Sequence, residues 1–204
     1  KAMLEFGADN TERDLIGIDV SRLNARVVKQ SFGDSAYSEI ITNPTKKINT
    51  KKDIVIAAGW KPGWSTDYCS VMLAKNMGIK TIVNLTNVDY VYDRNPNAPT
   101  SHKASRGEAK PFKEIPWKEF RKIVGNKWVP GMSMPFDPRA SKMAEILKIK
   151  VIVINGKKLE RFEAVGVDPY PANSERTHFI NELVGSFESL VKSQEKIIAV
   201  GRII

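Results

Sequence analysis

The chain reads as an α/β protein built on a mainly parallel sheet, and three features of its sequence predict this. Short apolar runs at residues 53–58, 80–85 and 151–154 alternate with segments of helical period. The first run leads into a glycine loop, residues 59–64, followed at once by the helix-start residues Ser65-Thr66-Asp67. Strand, glycine loop, helix and strand form a βαβ unit, whose strands are expected to lie parallel with helices covering both faces of the sheet.

Each element follows from its residues. Residues 11–31 carry a helical period in which Leu15, Ile18, Leu23 and Val27 can share a face. Residues 38–41 are extended and end at the Asn43-Pro44 turn. Ser65, Thr66 and Asp67 are favoured N-cap types, and the helix behind them, with Val71, Met72, Ala74 and Met77, stops at Gly78, a natural C′ residue. Residues 94–112 are polar and proline-bearing, which predicts an exposed loop. Residues 138–147 then read as a helix and 151–154 as a buried strand ending at Asn155-Gly156. In the tail, 158–165 and 174–192 read as helices either side of Asp168-Pro-Tyr-Pro171, and 196–204 as a strand with no partner inside the tail.

With 204 residues there is room for one full α/β domain and a small appendage. No stretch reaches the roughly 20 apolar residues of a membrane helix. The opening Lys1-Ala2-Met3 is neither a signal peptide nor a plausible translation start, so upstream sequence is expected. Cys69 is the only cysteine, which rules out an intrachain disulfide and suits a reducing, cytoplasmic setting. His102 and His178 have no ligand-type neighbours at useful spacing, so no structural metal is expected. The net charge of +9 lies wholly before residue 157, since seven basic and seven acidic residues cancel beyond it. It is spread without arginine clusters, a pattern that fits attraction for phosphorylated small molecules and leaves a nucleic-acid groove open.

The chemistry belongs to the loops beyond the carboxyl ends of the strands, where open α/β sheets bind ligands. Gly59 and Gly63 would let the backbone approach an anion, Lys61 adds positive charge, and the helix starting near Thr66 points its N–H groups the same way. The spacing is neither GxxxxGK[ST] nor GxGxxG, and a tight turn that merely needs glycine explains the loop as well. Asp67 reads as a helix cap or as a functional carboxylate. Asn84, Thr86, Asn87 and Asp89 collect polar groups at a strand end, as a ligand site or as a turn. Trp60 and Trp64 flank the loop and, with Trp117 and Trp128, serve packing or a pocket wall.

Two stretches, Gly59-Trp-Lys-Pro-Gly-Trp-Ser-Thr-Asp67 and Asn84-Leu-Thr-Asn-Val-Asp-Tyr-Val-Tyr-Asp-Arg-Asn-Pro96, resemble uridylate kinases of the amino acid kinase superfamily, a bacterial lineage with a tryptophan-rich loop in particular. Asp14-Leu-Ile-Gly17, Arg22-Leu-Asn-Ala25 and Pro135-Phe-Asp-Pro138 fit the same pattern, so the resemblance covers residues 1–156. It implies a three-layer sandwich and transfer of a phosphoryl group from ATP to UMP with Mg²⁺. Asp14, Gly59, Ser65 and Thr66 would then serve UMP, with Asp14 on the ribose. Thr86, Asn87, Asp89, Tyr92 and Asp93 would border ATP, and Asp67, with Asp137 nearby, would be the catalytic carboxylates. Lys61 is a phosphate-contact candidate from the loop chemistry alone. The family's opening strand, glycine-rich loop and lysine have no counterpart here, which predicts weak or no turnover for this chain. Relatives often form homo-oligomers.

The tail bears a second resemblance. Lys158-Leu-Glu-Arg161, Gly166-Val-Asp-Pro-Tyr-Pro171, Glu175-Arg-Thr-His178 and Ile198-Ala-Val-Gly-Arg202 are similar to the N-terminus of lysyl-tRNA synthetases, which divides the chain into 1–156 and 157–204. One strand cannot close a five-stranded OB barrel, so tRNA binding by this tail is not expected. Two other readings stand beside the UMP kinase: a kinase acting on an amino acid or carbamate, and a non-catalytic nucleotide- or RNA-binding fragment.

Overall fold

The computed structural model describes residues 2–94, 108–127 and 134–156, and the backbone of 197–201. The helices expected at 158–165 and 174–192, and Trp128 and His102, lie outside these residues. Its centre is a parallel sheet of order β4–β1–β5, with β1 at Thr81–Thr86, β4 at Lys150–Asn155 and β5 at Ile197–Gly201. β1 meets β4 in the register Thr81↔Lys150 to Thr86↔Asn155, and β5 in the register Thr81↔Ile197 to Leu85↔Gly201. The tail strand thus has its partner in the main sheet. Successive residues of a strand face opposite sides. Ile82 and Val83 are 0% and 2% exposed, so both faces of β1 are covered, as the apolar runs predicted.

Helix α1 spans Ala2–Glu5, α2 Asn10–Phe32, α3 Thr66–Met77, α4 Trp117–Val124 and α5 Pro138–Leu147. α2 begins in a capping box, in which Asp9 accepts from the Glu12 N–H and Glu12 accepts from the Asp9 N–H. α3 runs from the Ser65 cap to left-handed Gly78, as expected. α5 matches its expected bounds, although it ends on a left-handed lysine, Lys148 at φ 53°, rather than on a glycine. The core joins α3, α4 and α5 to the sheet through Val71, Ala74, Ile82, Phe120, Phe136, Ala140, Ala144 and Ile149. Trp117 belongs to this core: its indole N–H donates to the Ile149 carbonyl, and its ring packs on Phe120 and Phe136.

Three expectations are corrected. Residues 53–58 form no regular strand and no ladder with β1 among the described residues. They run parallel to 36–41 through two isolated bridges, Ala36↔Ile54 and Ile41↔Ala57. The bridges lie five residues apart on one side and three on the other, so the extra residues bulge out and interrupt the ladder. Second, Pro111–Phe112 is a strand, β3, paired antiparallel with β2 at Val91–Tyr92, where an exposed loop was expected. Third, Leu15, Leu23 and Val27 do not share the buried face of Ile18. The buried stripe of α2 is Ile18, Ala25 and Phe32, whose seven-residue spacing nearly closes two turns of about 3.6 residues each. Leu15, Ile16, Val20, Leu23 and Val27 are all about half exposed or more.

Candidate active site

The loop at residues 59–64 is fastened to α2 along its length. The Gly59 N–H donates to Ser21 Oγ at 3.0 Å. Arg22 donates to the Gly59 carbonyl at 3.3 Å and to the Trp60 carbonyl at 2.9 Å. The Gly63 N–H donates to Asp14 Oδ2 at 2.8 Å. Gly59 is there because of close approach: a Cβ would lie 3.2 Å from Ile18 Cγ1 and 3.3 Å from Ile18 Cα. Gly63 is there because of conformation, at φ +79°. The two glycines therefore serve the packing of the loop on α2, and the Gly63 N–H is spent on Asp14.

Beyond the loop, Ser65 is the helix cap, its hydroxyl accepting from the Tyr68 N–H at 3.0 Å. That relieves Asp67 of capping, and its Oδ2 instead accepts the Asp137 N–H at 2.9 Å. Asp137, 4% exposed, caps α5 by accepting from the N–H groups of Arg139 and Ala140. The N-terminal ends of α3 and α5 are thereby joined by the Asp67 carboxylate on the Asp137 N–H, and both helix ends direct partial positive charge toward this junction. Arg139 reaches back from α5 to the Gly63 carbonyl at 2.8 Å. Asp14, Gly59, Ser65, Thr66, Asp67 and Asp137 thus fall on one connected set of elements.

Lys61 is exposed, with its ammonium 4.2 Å from the centroid of Trp60 and 5.3 Å from that of Trp64. The two rings meet edge to face at 4.4 Å. Lys61 is held by the aromatic faces of its own loop.

The second group of residues lies at the carboxyl ends of β1 and β4. Thr86 Oγ1 accepts the Val88 N–H at 2.9 Å, so Thr86 builds the turn after β1. Asn87 is exposed. Asp89 accepts from Asn155 Nδ2 at 2.8 Å, and buried Asn84 donates to the Pro135 carbonyl at 2.6 Å, which ties β1 to the segment before α5. Tyr92 and Asp93 sit on the β2–β3 hairpin. Asp93 is bonded by Arg94 at 2.7 Å and by the Lys110 N–H at 2.9 Å. The Arg94 hydrogen bond, then that of Lys110, hold its carboxyl below the usual range.

Ser21, Arg22 and Arg139 were not among the candidates read from the sequence. Arg22 stood inside a motif that resembled the family, but its donation to two loop carbonyls depends on how α2 lies against the loop. Cys69 is buried, and this burial pushes its thiol up to about 11.

No helix among the described residues is long and apolar enough to cross a membrane. Residues 8–155 match the amino acid kinase family. Among proteins of known name, the chain is 33% identical over 155 residues to a uridylate kinase of Methanosarcina acetivorans, covering 74% of this chain and 64% of that protein. It is also 33% identical over 159 residues to the uridylate kinase of Methanothermobacter thermautotrophicus, covering 76% of this chain and 68% of that one. Among solved structures it resembles uridylate kinase from Archaeoglobus fulgidus, with a TM-score of 0.60 and 28% identity over 76% of this chain and 68% of that chain. The chain thus spans slightly less than two thirds of the Methanosarcina relative. On the family match and these identities, the chain belongs to the amino acid kinase family, on its uridylate kinase branch.

Proposed function

We propose that this chain carries the acceptor side and part of the donor side of a site that transfers a phosphoryl group from ATP to UMP. The observation that supports it best is the Asp67–Asp137 junction, where two helix N-termini converge beside the clamped loop. Phosphoryl transfer needs positioning and charge neutralisation more than proton chemistry. In this reading Asp14, Gly59, Ser65 and Thr66 form the UMP side, with the free oxygen of Asp14 toward the ribose. Thr86, Asn87, Asp89, Tyr92 and Asp93 border ATP, and Lys61 swings from the indoles to a phosphate. Asp67 and Asp137 hold the two helix ends at fixed separation and offer hard oxygen donors of the kind Mg²⁺ takes alongside phosphate oxygens. The ion supplies charge neutralisation on the phosphates when bound. A cytoplasmic location goes with this reading and with the unpaired thiol of Cys69.

Homo-oligomerisation is the second part of the proposal. Ile16, Val20, Leu23 and Val27 recur at spacings of four, three and four on the exposed side of α2, which is the seam a helix–helix contact uses. A second copy of α2 is the partner that fits. Leu23→Asp with Val27→Asp should lower the mass seen by light scattering. A wild-type chain that is already monomeric would remove this part.

The test of the nucleotide site is a calorimetric titration with UMP and then Mg-ADP, with CMP, AMP, glutamate and aspartate as controls. UMP-selective heat supports the reading. Binding of glutamate or aspartate in place of UMP would move the chain to another substrate class. Binding of RNA that falls steeply with salt, without UMP selectivity, would favour a nucleic-acid-binding fragment.

A further inference from the structure

Gly63 is gripped from two sides. Its N–H donates to Asp14 of α2, and its carbonyl accepts from Arg139 Nη1 of α5, both at 2.8 Å. The same guanidinium lies 5.0 Å from the centroid of the Tyr68 ring. Tyr68 meets Trp64 edge to face at 4.7 Å, Trp64 meets Trp60 at 4.4 Å, and Lys61 covers Trp60 at 4.2 Å. Three aromatic rings thus form a column between two cations, running from the tip of the loop to the second residue of α5.

We infer that Arg139 is a positioning residue, which fixes the Gly59–Trp64 loop against α5 and so sets the affinity of the acceptor side without touching the reactants. The loop lacks strand pairing of its own, and Gly63 has a left-handed backbone that many other conformations compete with. A loop held in its binding conformation beforehand loses less entropy when ligand arrives. Asp14 and Arg22 anchor it to α2 alone. Arg139 adds the fastening to α5, whose cap Asp137 is bonded to Asp67. The geometry also explains the residue type, because a planar guanidinium can donate to a carbonyl in its plane while lying on a ring with its face. A lysine ammonium can do either, as Lys61 does over Trp60, but it has no plane with which to do both at once. Arg139 is exposed, so its removal opens no cavity in the core.

The acceptor arm rests on the proposed UMP site, whereas the loop arm does not. The experiment compares the full chain with Arg139→Ala and Arg139→Lys. Three readouts are taken: thermal melting, the exciton couplet of the Trp60–Trp64 pair in ultraviolet circular dichroism, and UMP titration. Arg139→Ala is expected to melt near the wild type, lose most of the couplet, and bind UMP about three- to tenfold more weakly, the range of one partly exposed hydrogen bond. Arg139→Lys should fall between. An unchanged couplet with unchanged affinity in Arg139→Ala would overturn the inference. A wild type that binds no UMP would sink the proposed function, and the couplet would then decide by itself. Should Arg139→Ala melt far lower, the couplet and affinity of Arg139→Lys give the answer, and wild-type values there would refute the stacking role.

Discussion

Gly59→Ala separates two opposing effects on one residue. Replacing glycine by alanine restricts the unfolded chain and, where the site accepts a methyl group, stabilises by about 0.4–1 kcal/mol. At Gly59 the methyl would meet Ile18 Cγ1 at 3.2 Å and Ile18 Cα at 3.3 Å. The second contact is the backbone of α2, so no rotamer change relieves it. Overpacking of this kind costs about 1–3 kcal/mol, which exceeds the entropic gain. The helix must back away by a few tenths of an ångström. The Ser21, Arg22 and Asp14 bonds to the loop would move with it. Net destabilisation of about 1–2 kcal/mol is expected, seen as a fall in Tm of about 2–4 °C per kcal/mol for a chain of this size. Gly17→Ala is the internal control. It lies mid-helix in α2 with nothing within 4 Å, and should stabilise by up to about 1 kcal/mol. The assay is urea unfolding of both variants, with Ile18→Ala as a partner in a double-mutant cycle. If Gly59→Ala stabilises as Gly17→Ala does, the close approach of loop and helix is not as described.

Three further outcomes follow from the same geometry. Asp137→Ala should destabilise by about 1–2 kcal/mol through loss of the α5 cap, with Asp137→Asn losing less because it keeps an acceptor, both read by urea midpoints. Cys69 should resist alkylation near neutral pH in the folded chain and react only as fast as the protein unfolds, because burial keeps its thiol protonated up to about 11. Rapid stoichiometric labelling under native conditions would contradict its burial. The Asp93 carboxyl, lowered chiefly by Arg94, contributes stability that is present above its ordinary range and lost as pH falls through the lowered value. Arg94→Ala should therefore bring the Asp93 titration, followed by NMR, back up toward an ordinary carboxylate.

The sequence by itself determined what depends on neighbours along the chain. Periodicity and end signals located α3 between Ser65 and Gly78 and α5 from Pro138, and the continuous apolar runs marked β1 and β4 as parallel strands, of which β1 is covered on both faces and β4 only partly buried. The motifs around Gly59–Asp67 and Asn84–Asp93 were sufficient to point to the family that the comparisons then showed. Tertiary structure alone decided what depends on contacts between distant segments. Which stripe of α2 is buried turned on its docking at Gly59, since Ile18, Ala25 and Leu23 are all plausible core residues by type. The bulged pairing of 36–41 with 53–58 depends on a two-residue register offset that neither segment encodes alone. The work of Arg22 and Arg139 was hidden for the same reason: each donates to a carbonyl 37 to 76 positions away, and a carbonyl leaves no mark in the identity of its residue.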